Sequence, residues 1–301
     1  MEKRAFYASM IVVAACLWGV IGVFTSELEA DGLTSTQVTE VRCAVTAIGL
    51  LIIMLIRDRS LFKVEPKDLV ILVAVALFFM VYNILYFEEI AIGCPLSMVS
   101  IMLYTAPFFV LVFSVFIFKE ELTLHKVLAL GLAFVGCAFA VGLVGGEGGE
   151  LNMRGFWMGL GSGFTYALYT ILNKFLLRKY SPMTLTFYAF GISALCLVPF
   201  SNILGILDIA INIEGAALWM LGLGLLITLI PYFLYGSGLK GLDAGYVSVL
   251  ALIEPMVATV AGFVMYGQSP TTIKVCGIVL VLLGVALLNL KLKRPKKMQS
   301  E

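Results

Sequence analysis

The chain contains 301 residues, of which 61% are hydrophobic and 13% are charged, and its formal net charge is +1. Soluble domains carry about 25% charged residues, so this composition excludes an ordinary water-soluble fold. The six cysteines lack the Cys-x-x-Cys spacing of zinc and redox sites and are interpreted as small apolar side chains. No pattern in the sequence indicates a metal site or a cofactor.

Apolar runs separated by short charged clusters follow one another along the chain. Each has roughly the 20 residues that a helix requires to cross a hydrocarbon core. The first run follows Lys3 and Arg4, as a signal peptide would, but it is long and lacks a cleavage site of small residues, so we expect it to be retained. Because long, uniformly apolar runs favour helices over barrel strands, the predicted fold is an all-α integral membrane protein. The ten predicted transmembrane helices lie at about 5–25, 38–56, 69–87, 96–118, 127–144, 156–175, 185–204, 216–238, 244–266 and 273–290.

The Lys and Arg residues are distributed unevenly between the two sides of the predicted bundle. If the amino terminus is cytoplasmic, all of them except Arg42, Arg154 and Lys274 lie at cytoplasmic ends of the helices. The positive-inside rule therefore predicts a multi-pass protein of the plasma (inner) membrane with both termini in the cytoplasm. The basic tail at 291–301 is interpreted as a topology anchor, with a site for anionic lipid headgroups as the alternative.

The sequence contains an internal repeat, in which region 93–138 matches region 241–286. Each copy holds five predicted helices, and this odd number of crossings makes the second copy enter the membrane the opposite way round. The result is two inverted five-helix repeats, an arrangement that secondary transporters use for alternating access to a site near the midplane. We predict a first repeat at 5–144, a polar Gly-rich connector at 145–153, a second repeat at 154–290 and the tail at 291–301. The identical pairs that carry the match include Gly93 with Gly241, Pro107 with Pro255, Lys126 with Lys274 and Gly136 with Gly284.

Several short motifs together resemble one family of membrane proteins. They are Leu17-Trp18-Gly19, Arg42, Tyr104-Thr105-Ala106-Pro107, Phe118-Lys119-Glu120-Glu121-Leu122-Thr123, Leu252-Ile253-Glu254-Pro255, and the glycines Gly136 and Gly284. With these motifs the chain resembles the drug/metabolite transporter superfamily in its ten-helix form with two EamA domains. The resemblance implies transport of small metabolites, often amino acids or related compounds and often outward, without nucleotide hydrolysis. One departure is that Gln268 stands in the second copy where the first has Glu120.

Ionisable side chains inside a membrane span are costly and are therefore candidates for function. Glu254 precedes Pro255 about halfway along the ninth predicted helix, where the proline frees backbone carbonyls to face a cavity. We interpret it as a ligand for a substrate amine or as a carrier of protons, with an acid satisfied by a helix neighbour as the alternative. Arg42 is interpreted as a structural partner of Glu40 or a snorkelling side chain, with a site for a substrate carboxylate as the alternative.

Aromatic and amide side chains recur at helical spacing in three of the predicted helices, which places their polar tips on one face of each. Such residues are typical of small-molecule cavities, although Tyr and Trp also form belts at membrane interfaces. The candidate substrate-binding residues of this kind are Trp18, Tyr82, Asn83, Tyr86, Tyr104, Tyr166, Tyr169, Asn173, Tyr232 and Tyr235.

Prolines and glycines mark two further features of the predicted helices. Pro107 and Pro255 occupy matching positions of the two repeats and are interpreted as kinks at which the helices bend during transport. Gly155, Gly159 and Gly163 recur every four residues, which indicates close helix packing and not a nucleotide-binding loop, because no strand precedes them.

These features favour a secondary transporter of small metabolites, most simply an exporter of amino acids or related amines. Its expected partners are a small-molecule substrate and the lipid bilayer, and no feature indicates nucleic acid. Coupling to a proton and facilitated exchange without a coupling ion are both compatible with the sequence. A transporter of nucleotide-sugar or lipid-linked cargo is the alternative within the same class. A membrane enzyme is disfavoured because the single histidine, His125, lies in a predicted loop and no nucleophile–base pair is visible. An ATP-driven pump is excluded for this chain alone, since it has no phosphate-binding loop.

Overall fold

The computed structural model describes residues 2–94, 96–143, 153–265 and 271–289, and these residues form helices and short links without a β-strand. The predicted tail, Gln268 and almost all of the predicted connector lie outside the described residues. The helices of the first half are α1 (Glu2–Gly19), α2 (Ile21–Ala30), α3 (Ser35–Arg57), α4 (Pro66–Ala91), α5 (Leu96–Leu103), α6 (Ala106–Phe118) and α7 (Leu124–Ala140). Those of the second half are α8 (Met153–Leu176), α9 (Pro182–Leu197), α10 (Ile203–Asn212), α11 (Ala216–Leu221), α12 (Ile230–Gly241), α13 (Ala244–Ala251), α14 (Ile253–Met265) and α15 (Thr272–Asn289).

Each of the ten predicted apolar runs corresponds to one helix or to consecutive helices, which we call spans one to ten. The first span combines α1 and α2, the fourth α5 and α6, and the ninth α13 and α14; the eighth combines α11 and α12 through a π-helical segment, Gly222–Leu229. Within the part of the chain that the structure describes, seven spans are long and apolar enough to cross a membrane, by length and composition alone. The fifth and tenth are shorter apolar helices, and α8 is diluted by glycine, tyrosine and other polar residues.

The structure differs from the prediction at the seventh span, which ends well before residue 204. Helix α9 ends at Leu197, and a 3-10 turn, Val198–Phe200, leads to the separate helix α10. Pro199 lacks a backbone donor and cannot continue the α-helix. Asn202, with φ of 45°, then caps α10 by accepting a hydrogen bond from the Gly205 N–H at 3.3 Å. Because α10 has a single buried residue, Ile206, it lies on the surface of the bundle.

The fourth and ninth spans are interrupted at equivalent positions. The fourth breaks at Tyr104 and Thr105 and the ninth at Leu252, shortly before Pro107 and Pro255 respectively. A proline offers no N–H to the carbonyl four residues earlier, so each break leaves backbone carbonyls without a helical donor. At the first break, the Met102 carbonyl accepts hydrogen bonds from both the N–H of Thr105 at 3.1 Å and its hydroxyl at 2.6 Å.

The packing of the spans repeats after exchange of the two halves. Exchanging the halves replaces each span of the first half by the span five places later, and the reverse. The contact of the third span with the sixth thus corresponds to that of the eighth with the first, and the contact of the fourth with the sixth corresponds to that of the ninth with the first. The second and seventh spans pack on each other, and so do the fifth and tenth. Such a pattern is what two inverted repeats related by a pseudo-two-fold axis produce.

The links between spans gather at two opposite ends of the bundle. One end, which we call the basic end, contains the start of α1 and the links at 58–65, 119–123, 177–181 and 242–243. Contacts between these links include the Lys179 ion pairs with Glu65 at 2.5 Å and Asp68 at 2.7 Å. The opposite end, the mouth end, contains the links at 31–34, 201–202 and 213–215, and Leu33 of the first of these belongs to one hydrophobic cluster with Ile206 of α10.

Candidate functional site

A cavity of about 860 Å³ lies between the two halves of the bundle. Its wall begins at the mouth end with the exposed residues Ser26, Glu29 and Thr34. It extends into the bundle as far as Tyr235 and Ser248, which are buried. The cavity is therefore open at the mouth end and ends inside the protein before the basic end.

Five aromatic side chains from four spans form the inner wall of the cavity. The ring of Trp18 lies 4.9 Å from that of Tyr232 and 5.3 Å from that of Tyr235. Tyr82 stands edge-on to Tyr166 at 5.2 Å, and its hydroxyl lies 3.3 Å from the Tyr232 hydroxyl. These separations are those of favourable aromatic pairs, which hold the polar tips in fixed positions. All five residues are cavity-lining, as are Asn83, Tyr86, Tyr104 and Pro107.

Two charged side chains of opposite sign also line the cavity. Arg42 of α3 is buried, and its Nε donates a long hydrogen bond of 3.5 Å to the Thr228 hydroxyl. Glu254 lies in the first turn of α14, immediately after the break of the ninth span, and is half-buried. Among the described residues, neither belongs to any ion pair within 4 Å. The predicted pairing of Arg42 with Glu40 is not formed.

Trp18 also lines the cavity. Its indole Nε1–H is buried and has no hydrogen-bond partner among the residues that the structure describes. A buried donor without a partner is costly, and such groups often mark the place of a bound molecule or water. The cavity therefore presents a guanidinium and a carboxylate to a ligand, whereas the Trp18 Nε1–H is enclosed by protein atoms.

Helix α2 contributes a polar face whose residues are not among the candidates predicted from the sequence. Gly22, Thr25, Ser26 and Glu29 follow the i, i+3, i+4, i+7 spacing of one helix face, and all four line the cavity. The opposite face carries buried apolar residues that pack against the second and eighth spans. The spacing was visible in the sequence, but small polar residues are tolerated inside an apolar run and did not stand out. Ser35 and Ser248 are further lining residues that were missed.

Two candidates, Tyr169 and Asn173, are not among the lining residues. The Tyr169 ring packs behind the wall, 5.6 Å from Phe79 and 5.9 Å from Tyr166. The Asn173 amide donates to the Tyr169 carbonyl at 3.0 Å, one turn away on the same helix. Both residues support the wall from a second layer.

The glycines of α8 allow this helix to approach α4 and α5 closely. A Cβ on Gly159 would lie 2.6 Å from Oε2 of Glu89 and 2.8 Å from Oε1. Glu89 is completely buried there, and neither carboxyl oxygen has a hydrogen-bond partner among the described residues. This packing places Tyr166 of α8 in the cavity opposite Tyr82 of α4.

A polytopic bundle of two inverted repeats around a central cavity that is open at one end defines the class of membrane transporters. The chain belongs to the EamA-like transporter family, whose model matches residues 5–142 and again residues 153–290. The predicted all-α fold of ten spans in two inverted repeats is thereby confirmed. The protein is a multi-pass membrane transporter of the EamA type, so its partners include a small-molecule substrate and the lipid bilayer.

Individual proteins with similar sequences or structures agree with this assignment. An uncharacterized transporter of Archaeoglobus fulgidus is 30% identical over 275 residues, which cover 91% of this chain and 93% of the relative. A probable amino-acid metabolite efflux pump of Salmonella typhimurium is 25% identical over 216 residues, covering 66% of this chain and 69% of that protein. A solved crystal structure with 17% identity superposes with a TM-score of 0.77 over 94% of this chain and 97% of its own, which shows a shared fold.

Proposed function

We propose that this transporter exports amino acids or related amines by alternating access, as a secondary transporter without ATP hydrolysis and without enzymatic activity or a cofactor. The observation that carries the proposal is the pair of unpaired charges, Arg42 and Glu254, in one cavity. An amino acid has a carboxylate that matches a guanidinium and an ammonium group that matches a carboxylate. The name of the Salmonella typhimurium relative supports the same cargo and the outward direction.

The aromatic wall supports a class of substrates that carry an amine. Ammonium groups bind favourably over the faces of Trp and Tyr, and Trp18, Tyr232 and Tyr235 lie together beside the cavity. Arg42 is the one basic residue in the described lining of the cavity. A single guanidinium suits one carboxylate better than the several phosphate charges of a nucleotide-sugar or lipid-linked cargo.

The proposed orientation places the basic end in the cytoplasm of the cell and the mouth end outside its plasma membrane. In this orientation the cavity of the present structure faces outward. Two roles of Glu254 are compatible with this orientation. Its carboxylate is the ligand of the substrate amine, or it takes up a proton when the substrate leaves.

The test combines efflux with ligand binding. Efflux of labelled amino acids is measured from proteoliposomes with and without a pH gradient, for the wild type, Arg42→Gln and Glu254→Gln. Binding of phenylalanine, phenethylamine and phenylpropionate is measured on the same proteins in detergent. We expect Glu254→Gln to weaken binding of phenethylamine and Arg42→Gln to weaken binding of phenylpropionate. Each affinity should fall by about tenfold or more, because each variant removes a charge-assisted contact.

The pH gradient separates the two roles of Glu254. If Glu254→Gln retains exchange of amino acids but loses its stimulation by the gradient, the carboxyl carries the proton. If both activities are lost together with amine binding, it is the ligand of the amine. Absence of efflux above empty liposomes for every amino acid would contradict the proposed cargo.

A further inference from the structure

The link between α12 and α13 lies at the basic end, on the far side of the cavity from the mouth. The side chain of Glu120, from the link after α6 in the first repeat, reaches the start of α13 in the second. Its Oε1 accepts the Ala244 N–H at 2.8 Å and its Oε2 accepts the Gly245 N–H at 3.3 Å. These are the first two amides of the helix, so a carboxylate of one repeat caps a helix of the other.

Two lysines also contact the link between α12 and α13 or the residues beside it. Lys126 Nζ forms an ion pair with Asp243 Oδ2 at 3.2 Å and donates to the Glu121 carbonyl at 3.1 Å. Lys174 donates to the Leu239 carbonyl at 2.6 Å and also to the Leu242 carbonyl, at the carboxyl end of α12. Positive charge at the end of α12 and negative charge at the start of α13 both match the helix dipoles.

These contacts separate the cavity from the basic end. Helices α6 and α13 pack without free space there, because a Cβ on Gly245 would lie 2.8 Å from Leu111 of α6. Ser248 lies one turn further along α13 and lines the cavity. A path from the cavity to the basic end between α6 and α13 must therefore move the start of α13 away from Glu120.

We propose that the contact of Glu120 with the Ala244 and Gly245 amides is a latch that keeps the basic end closed and must open in each transport cycle. The proposal rests on alternating access as stated under the proposed function. It concerns the gate and not the cargo.

The sequence repeat makes this latch asymmetric. Glu120 aligns with Gln268, and Asp243, the partner of Lys126, aligns with Pro95. By sequence, the second repeat therefore offers a neutral amide at the position of the Glu120 carboxylate. A charged acceptor forms roughly twice as strong a hydrogen bond as a neutral one. The latch thus favours the state that is closed at the basic end, which is the state of this structure.

The test measures which side of the membrane reaches the cavity. All six native cysteines are replaced, and Ser248→Cys is introduced as a reporter that lines the cavity. Labelling by a membrane-impermeant maleimide is compared in vesicles of both orientations, in backgrounds with Glu120, Glu120→Gln and Glu120→Ala. Glu121→Gln, which changes an exposed acid at the next position, is the matched control.

We expect labelling from the basic end to be slow with Glu120 and with the control, and to rise by about tenfold in Glu120→Ala, since a hydrogen bond to a charged group is worth about one factor of ten. Glu120→Gln keeps one acceptor oxygen and should give an intermediate rate. If Glu120→Ala fails to accumulate, Lys126→Gln provides a second route, because it breaks the ion pair with Asp243.

The proposal is overturned if labelling from the basic end is unchanged in Glu120→Ala, and Glu120 is then a static cap of α13. If only Lys126→Gln is obtained, unchanged labelling in that variant has the same meaning. The readout needs no substrate. A shift of labelling without amino-acid efflux would therefore support the latch while contradicting the proposed cargo, and the reverse result would contradict the latch alone.

Discussion

Charged side chains behave differently at the basic end and in the cavity. At the basic end, Lys126 and Lys179 form ion pairs with acids across the links. In the cavity, Arg42 and Glu254 line the same space without such a partner. Burial of an unpaired charge is costly, so its persistence in a span is best explained by a ligand that supplies the opposite charge.

The indole of Trp18 gives a prediction for a single hydrogen-bond donor. Trp18→Phe keeps an aromatic ring against Tyr232 and Tyr235 but removes the unpartnered Nε1–H. We expect substrate binding to turn this buried donor toward the cavity, so that the KM for amino-acid efflux rises by about two- to tenfold in Trp18→Phe, because one neutral hydrogen bond contributes about 0.5–1.5 kcal/mol.

The matched control for this variant is Trp219→Phe. Trp219 packs edge-on against Phe24 at 5.2 Å and is not a lining residue of the cavity. Efflux kinetics of both variants are measured in proteoliposomes. An equal effect of the two substitutions would argue against a ligand contact at Trp18 and for a general effect of losing an indole.

At the scale of the helices, the breaks in two of the spans lie beside the cavity. The fourth and ninth spans break beside Tyr104 and Leu252, and both residues line the cavity. Irregular backbone at membrane depth is tolerated where it faces a cavity, because free carbonyls can be hydrated or contact a ligand. Bending of these spans at Pro107 and Pro255 during transport stays a prediction.

Close packing of α8 on α4 and α5 gives a prediction at the same scale. Gly159→Ala would place a Cβ 2.6 Å from Glu89 Oε2, within a contact that has no space for it. We expect a loss of stability of about 1–3 kcal/mol, which is the usual cost of inserting a methyl group into a packed core. Thermal unfolding in detergent measures the change.

Gly161→Ala on the same helix is the control for this prediction. Its Cβ would meet only the tip of the Leu85 side chain at 3.2 Å, and that flexible end can move aside. A similar loss of stability in both variants would indicate that glycine is needed in α8 for another reason than its contact with Glu89.

For the whole molecule, hydropathy and the internal repeat were sufficient to predict the fold. Ten apolar runs and an odd number of helices in each repeat determine the inverted arrangement. Helix α10 was missed because its apolar residues continue the run of α9, and only Pro199 and the Asn202 cap separate the two. Hydropathy does not distinguish a surface helix from the end of a span.

The candidate site was predicted only in part, because spacing along a helix does not specify depth in the bundle. Tyr166 and Tyr169 are neighbours on one face of α8, yet one lines the cavity and the other packs behind it. The role of Glu120 depends on a contact between residues 124 positions apart, which no local pattern reveals. Position in the assembled bundle decides both cases.

The two halves are also joined by an ion-pair network at the basic end, between the link before α4 and the link before α9. Lys179 of the second half pairs with Glu65 and Asp68 of the first. The hydrogen bonds to Asp68 and then to Glu65 raise the pKa of Lys179. The hydrogen bonds from Lys179 and then from Lys67 lower the pKa of Glu65 below its ordinary value of 4.5.

These shifts predict how the stability of the folded chain depends on pH. The pKa of Glu65 is lowered by folding, so its contribution is fully present above about pH 4.5 and is lost as the pH falls through the folded value. The pKa of Lys179 is raised, so its contribution is present below about pH 10.4 and is lost as the pH rises through the folded value. The melting temperature, measured by thermal unfolding in detergent, should be nearly constant between these limits. Lys179→Gln should lower this constant value and make the fall of the melting temperature at acid pH less steep.

Lys240→Gln, which removes an exposed lysine at the same end, is the control. If the melting temperature falls as steeply at acid pH in Lys179→Gln as in the control, the fall is due to carboxyl groups elsewhere in the protein.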